Sequence, residues 1–307
     1  MMGIIKIGTR ESQLAVWQAT LVQTLLSKHH IQSELKHIKS DGDIDLVTPL
    51  YAIGVQGVFT KTLDAALLSK TIDIAVHSMK DVPTQLAKGI VQAAVLPRAS
   101  YKDILVFKNN TDFLSDAQSN AIIATSSIRR KAQWLYRYPN HTIENLRGNV
   151  NTRLQKVANS NWDGAIFAAA GLERIALRPA QSIHLDWMLP APAQGAIVIV
   201  CREDDTETFK KLNQLNDPNT DLCTKLERDF LQTLMGGCST PVSALATIEN
   251  NEVYFKGNIT SPDGKQQFKI EKKTTLSDTV NLGRLAAEEL LTTGAKMIIE
   301  SIHHAKK

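Results

Sequence analysis

Short apolar runs bounded by polar residues alternate with segments whose apolar positions recur every three or four residues, the pattern of strands and helices taken in turn. A first short strand ends near Lys6-Ile7, and Leu14, Trp17, Leu21, Val22 and Leu25 then mark one face of a helix, with Ser12 placed as its N-cap. A helix over Phe59, Leu63, Ala66 and Leu67 leads into the strand Ile72-Asp-Ile-Ala-Val76, and the chain breaks at Pro83. This order predicts a parallel α/β sheet. A second series follows, with strands over Asp103–Phe107, Ala121–Thr125, Ile143–Leu146 and Ala165–Ala170. Its helices carry Ile128, Ala132 and Leu135, then Val150, Leu154 and Val157.

The connector Leu189-Pro-Ala-Pro-Ala-Gln194-Gly195 precedes another apolar strand, Ala196–Cys201. Return of that strand to the first unit would leave two linkers between the lobes and therefore a hinge. From Asp221 the style changes. A helix capped by Asp221 and faced by Leu222, Leu226, Phe230 and Leu234 is followed by strand-like runs over Val242–Ile248, Glu252–Ile259 and Gln266–Lys273, then by a last helix interrupted near Gly294. The expected division is a lobe over 1–98 completed by 196–216, a second lobe over 99–195, and an α+β domain over 217–307.

Composition narrows the function. The chain of 307 residues is 43% hydrophobic and 21% charged, ordinary values for a globular protein, and no apolar run nears the roughly 18 residues that cross a bilayer. The N-terminal segment lacks the length of a signal peptide, so a cytoplasmic protein is expected. A net charge of +4 without an aromatic platform argues against a nucleic-acid binder. Cys201, Cys223 and Cys238 show no C-x-x-C spacing and the histidines no i, i+4 pair, so neither a disulfide framework nor a metal site is expected.

The arginines are unevenly placed, more than half lying between Arg129 and Arg178. Thr125, Ser126 and Ser127, with Arg129 and Arg130, fall where a strand passes into a helix, read either as free amides, hydroxyls and guanidiniums suited to a carboxylate or phosphate or as an N-cap serine before a solvated basic turn. Arg147 and Arg153 follow the next strand and Arg174 the one after, so three strand ends offer arginine to one side of a sheet. Arg10 and Ser12 stand at another helix start, read either as an anion site or as a plain capped helix with a solvated arginine. Lys80 and Asp81 follow the Ile72–Val76 strand, as a charge pair in a cleft or a solvated pair in a loop. Glycines in Ser40-Asp41-Gly42-Asp43 and Gly54-Val55-Gln56-Gly57 bracket a candidate lid. Cys238, in Gly236-Gly-Cys-Ser-Thr-Pro241, is a used thiol or a partly buried bystander.

Lys6-Ile-Gly-Thr-Arg-Glu-Ser-Gln-Leu-Ala15, Ala75-Val-His-Ser-Met-Lys-Asp-Val-Pro83, Thr125-Ser-Ser-Ile-Arg-Arg130, Leu146-Arg-Gly-Asn-Val-Asn-Thr-Arg-Leu154 and Gly236-Gly-Cys238 together resemble, in order and spacing, the porphobilinogen deaminase (hydroxymethylbilane synthase) family. The resemblance implies two periplasmic-binding-protein-like (type II) α/β lobes joined by a two-strand hinge, and a small α+β C-terminal domain with a three-stranded antiparallel sheet. It implies a monomeric transferase that condenses four porphobilinogen molecules head to tail with release of ammonia. The product is linear hydroxymethylbilane, on the route to heme. It further implies a dipyrromethane cofactor joined by a thioether to Cys238, with Asp81 as the catalytic carboxylate. Lys80, Asp81, Thr125, Ser127, Arg129 and Arg130 would hold the cofactor, and Arg10, Ser12, Arg147, Arg153 and Arg174 the incoming pyrrole. Arginine fits the task, since each added pyrrole brings an acetate and a propionate.

The chain departs from the family pattern at Gln56, where a lid lysine is usual, and at Thr62, Gln85 and Met235, where acidic residues are common. A non-catalytic solute binder on the same two-lobed scaffold is the rival reading; it would carry a signal peptide and have no use for Cys238.

Overall fold

The computed structural model describes residues 4–39, 60–234 and 240–304. The expected lid between Ser40 and Phe59 and the loop carrying Cys238 lie outside them. The first apolar runs fold as β1 (Ile5–Thr9), β2 (Ser33–His37), β3 (Ile74–Ser78) and β4 (Ile90–Val95), with α1 (Gln13–Lys28) and α2 (Lys61–Leu68) between them. The second series is β5 (Asp103–Phe107), β6 (Ile122–Ala124), α3 (Ile128–Arg137), β7 (Thr142–Glu144), α4 (Val150–Asn159), β8 (Gly164–Ala168), α5 (Ala169–Glu173) and β9 (Ser182–His184). The run expected as strand through Ala170 turns helical at Ala169.

After the proline-rich connector the chain returns to the first sheet as β10 (Ile197–Arg202). The strand orders are β2-β1-β3-β10-β4 and β7-β6-β8-β5-β9, one pattern used twice. In each sheet four strands run in one direction, while the strand arriving from the opposite lobe, β10 or β5, enters in fourth place and antiparallel to both its neighbours. The sheets are therefore mixed where the alternation of elements suggested a parallel one. The reason lies in the crossing points. Ile197 pairs with Ser78 at the end of β3, and Asp103 pairs with Ala168 at the end of β8. Each crossing strand thus enters its sheet from the carboxyl ends of the parallel strands and must run against them. This is the two-lobed, periplasmic-binding-protein-like arrangement, and it sets the open ends of both sheets against one cleft.

The two crossings lie side by side. Ala99 N–H donates to Gly195 O at 3.1 Å and Leu96 N–H to Ile197 O at 3.0 Å. Gly195, at φ +88°, passes so close to the other crossing that a Cβ would sit 2.7 Å from the carbonyl oxygens of both Ala99 and Ser100.

The α1 face differs from its expected stripe. Ala19, Val22 and Leu26 are buried with Gln18, whose side-chain amide donates to Ser78 Oγ at 2.7 Å, while Trp17 stays exposed. Trp17 instead lies under the Arg174 guanidinium, 5.8 Å from ring centroid to charge, an amphipathic partner that periodicity does not reveal.

Beyond α6 (Thr206–Asn213), the third unit comprises α7 (Pro218–Thr233), the antiparallel strands β11 (Val242–Glu249), β12 (Glu252–Thr260) and β13 (Gln267–Thr275), α8 (Leu282–Leu290) and α9 (Lys296–His304). Leu226, Phe230 and Leu234 pack on Val253, Phe255 and Ile259 in one buried cluster. Gly257 makes that packing close, since a Cβ there would meet the Phe230 ring at 2.5 Å. The helix starts before its expected Asp221 cap: Asp217 accepts the Thr220 N–H at 2.7 Å, and Pro218 supplies a first-turn residue with no donor to satisfy. Gly294, at φ +116°, breaks the terminal helix between α8 and α9. Among the described residues, no helix is long and apolar enough to cross a membrane.

Candidate active site

β3 pairs along its whole length with β10 and through Ile74 and Ala75 with β1, and ends in a single 3-10 turn over Met79–Asp81 that places Lys80 and Asp81 at the cleft. The turn is pinned by buried Met79, whose N–H donates to Ala196 O at 3.0 Å. Lys80 Nζ donates to Gln194 Oε1 at 3.3 Å. Burial, and then the positive charges of Arg130 and Arg129, outweigh Asp81 and Asp103 and bring the Lys80 ammonium down to about 8.

Opposite, β6 passes through Thr125 and Ser126 into α3, whose N-cap is Ser127; its hydroxyl accepts the Arg130 N–H at 3.4 Å. Thr125, Ser126, Arg129 and Arg130 are all buried. Both guanidiniums close on Asp103, the first residue of β5. Arg129 donates to its Oδ2 at 2.8 Å, and Arg130 to its Oδ1 from Nε at 3.1 Å and from a terminal nitrogen at 2.8 Å. The remaining terminal nitrogens donate to Leu189 O at 2.8 Å and Ile166 O at 3.0 Å. Gln194, fully buried, completes the cluster by donating to Asp103 Oδ1 at 3.0 Å and Tyr101 O at 2.8 Å. Burial alone would raise the Asp103 carboxyl, but Arg129, Arg130, Lys80 and the Gln194 bond together hold it at about 2. Sequence reasoning missed Asp103 and Gln194. The available signal was a lone carboxylate opening the apolar run Asp103–Phe107, since a charge inside a strand core requires partners.

The other arginines approach from successive strand ends, as their spacing suggested. Arg147, buried at 4% exposure, precedes the Asn149 cap of α4, and Arg153 lies on that helix's first turn. Burial and the neighbouring charges of Arg130 and Arg147 bring Arg153 down to about 10, against the attraction of Asp81. Asp81 of one lobe therefore acts on Arg153 of the other as well as on its neighbour Lys80. Arg174 donates to Gly195 O at 2.7 Å beside the hinge, with burial lowering it to about 10. Ser12 caps α1 by accepting the Ala15 N–H at 3.4 Å. Arg10 acts on buried His77 of β3, which burial and this charge hold neutral, near 4. The structure thus gathers Lys80, Asp81, Thr125, Ser127, Arg129, Arg130, Arg147 and Arg153 at the cleft. Arg174 stands at the hinge edge, and Arg10 and Ser12 at the start of α1.

The residues fit a ligand carrying several carboxylates. Arg129 Nε and Arg153 Nε are buried donors with no hydrogen-bond partner among the described residues, a costly state unless an acceptor enters. Cation outnumbers anion around Asp81, and the planar N–H forks suit acetate and propionate groups.

The fold and the cleft define a two-lobed α/β protein whose facing strand ends carry arginines beside the carboxylates of Asp81 and Asp103. The family models sharpen this: residues 5–210 match "Porphobilinogen deaminase, dipyromethane cofactor binding domain" and residues 221–292 "Porphobilinogen deaminase, C-terminal domain". The chain belongs to the porphobilinogen deaminase family. It is 41% identical over 306 residues to the porphobilinogen deaminase of Brevibacillus brevis, covering 98% of each chain. It is 40% identical over 301 residues to that of Chloroherpeton thalassium, covering 95% of this chain and 96% of the relative. Solved structures similar to it include a nutrient binding protein from Burkholderia cenocepacia bound to methionine, at TM-score 0.43 and 16% identity, covering 71% of this chain and 93% of that one.

Proposed function

We propose that the chain condenses four porphobilinogen molecules head to tail into linear hydroxymethylbilane, releasing one ammonia at each addition, as a cytoplasmic monomer. The observation that carries this reading is the position of Asp81, in the common field of Lys80 and Arg153 at the ends of two facing sheets. When bound through Cys238, the dipyrromethane supplies the free pyrrole α-carbon to which the first substrate is joined. Arg129 and Arg130, fixed by Asp103, and Lys80, fixed by Gln194, would hold its carboxylates with the Thr125 and Ser127 hydroxyls. Arg10, Ser12, Arg147, Arg153 and Arg174 would orient the acetate and propionate of the incoming porphobilinogen.

Loss of ammonia breaks the aminomethyl C–N bond and leaves the substrate as a cationic azafulvene. The Asp81 carboxylate stabilises that cation, oriented before the charge develops. Joining the substrate to the pyrrole α-carbon would release one proton from that carbon, and Asp81 would be the group that accepts it. Walls of permanent cations serve a chain whose negative charge grows with every addition, and the tether would keep the growing end beside the bound porphobilinogen, so that each addition becomes effectively unimolecular. Hydrolysis frees the tetrapyrrole.

The test is intact-protein mass. The wild-type chain should carry the added mass of two linked pyrroles, and Cys238→Ser should lose both the adduct and turnover. An active Cys238→Ser variant without the adduct would overturn the attachment.

A further inference from the structure

α7 carries two adjacent residues of opposite charge that reach different parts of the cleft. Glu227, fully buried, binds Arg98 of the first crossing through both oxygens at 2.6 and 3.0 Å, and accepts the N–H groups of Ala193 at 2.6 Å and Ala246 at 2.8 Å. Arg228 turns the other way. Its guanidinium donates to Met79 O at 3.3 Å and Val82 O at 2.9 Å from one nitrogen, and to Pro83 O from the other. Those carbonyls flank the turn that presents Lys80 and Asp81. The turn's own closure is the bond from Val82 N–H to Met79 O at 3.2 Å. A fan of three carbonyls suits a planar fork of N–H groups better than a tetrahedral ammonium.

We propose that Arg228 is a positioning residue for Asp81: the third domain, through α7, sets the height and direction of the turn that aims the catalytic carboxylate. The inference rests on the proposed role of Asp81. Because the adjacent Glu227 holds Arg98, the same helix is fixed to the first crossing while it holds the turn.

The test compares wild type with Arg228→Gln and Arg228→Lys in the loaded enzyme, by turnover, intact mass and amide hydrogen exchange. Arg228→Gln should keep the pyrrole adduct and lower kcat about tenfold to a hundredfold with KM within about twofold, the scale of a misplacement near 1 Å. Exchange should rise selectively over residues 79–83 while β3 and the β11–β13 sheet stay protected. Arg228→Lys should recover part of the kcat. A kcat within about twofold of wild type in Arg228→Gln, or exchange that rises equally throughout the third domain, would overturn the proposal. If Arg228→Gln does not fold, Arg228→Lys decides by the same exchange pattern. A wild-type chain lacking the adduct would instead refute the functional reading, whereas the exchange comparison would still judge the hold on the turn.

Discussion

Arg130 meets Asp103 side-on, Nε and a terminal nitrogen both donating to the same carboxylate oxygen at 3.1 and 2.8 Å. Arg129 takes the other oxygen at 2.8 Å, so one fully buried carboxylate orients two cations. A pair of adjacent buried guanidiniums would repel each other and pay for desolvation; the shared acid makes their proximity tolerable and fixes their direction before any ligand arrives.

Asp103→Asn should therefore destabilise the protein by about 3 kcal/mol, because it leaves two buried cations without a counter-charge. Denaturant unfolding would show a lower midpoint at unchanged slope. The effect carries a pH signature. Asp103 titrates near 2 in the fold, below its ordinary 3.8, so its stabilisation is complete above 3.8 and fades as pH falls toward 2. The gap between wild type and variant should narrow through that window.

Lys80 is also shifted downward, but here the fold disfavours the charged form instead of favouring it. Its ammonium titrates near 8 in the fold against an ordinary 10.5, so between those values the unfolded chain binds more protons than the folded one. In protein lacking the adduct, its contribution to stability should rise with pH from 8 to 10.5, and Lys80→Met should remove that rise. A ligand carboxylate held by Lys80 would lose its partner over the same window, so uptake of a pyrrole dicarboxylate should weaken above pH 8 in wild type more than in Lys80→Arg.

Asp81→Asn should leave the fold nearly unchanged, since the residue sits on a turn held by Met79, Val82 and Pro83 backbone groups. Turnover should fall by at least about a hundredfold, the size expected when a positioned acid-base group is removed. Single-turnover trapping of enzyme-bound pyrrole oligomers checks it, and near-normal elongation would remove Asp81 from the mechanism.

Much of this site was legible because its chemistry sits on local signals. Ser12, Ser127 and Asn149 act through the three residues that follow each, and strand ends mark themselves by where an apolar run stops; Arg129, Arg130, Arg147, Arg153 and Arg174 could be placed that way. The three antiparallel strands β11, β12 and β13 were placed to within two residues at each end, since a meander declares its period locally, whereas α7 takes its cap at Asp217, four residues before the expected Asp221. What stayed hidden was long-range. Asp103 and Gln194 are joined across 91 positions, and Arg228 reaches carbonyls 145 to 149 positions away, and a backbone carbonyl leaves no mark in a sequence. The antiparallel insertion of β5 and β10 was hidden for the same reason: direction depends on where the chain re-enters, and an apolar run such as Ala196–Cys201 reads alike in both senses.

The hinge offers a contrast between two glycines. Gly195 has φ +88°, and an added Cβ would lie 2.7 Å from two backbone oxygens of the neighbouring crossing, which cannot swing aside as a side chain could. Gly195→Ala must strain its own backbone, part the two crossings, or both. The cost should be about 1–3 kcal/mol for the strained backbone alone. Because Gly195 O also receives the Arg174 guanidinium at 2.7 Å, the same shift should disturb Arg174 and raise KM for porphobilinogen. Gly171 is the control. It lies within α5, its nearest approach is Leu14 at an ordinary 3.8 Å, and alanine there should be neutral or stabilising by up to about 1 kcal/mol through helix propensity. Thermal unfolding of the two variants side by side checks the contrast. Equal stability would mean that the crossings are not held as closely as Gly195 requires.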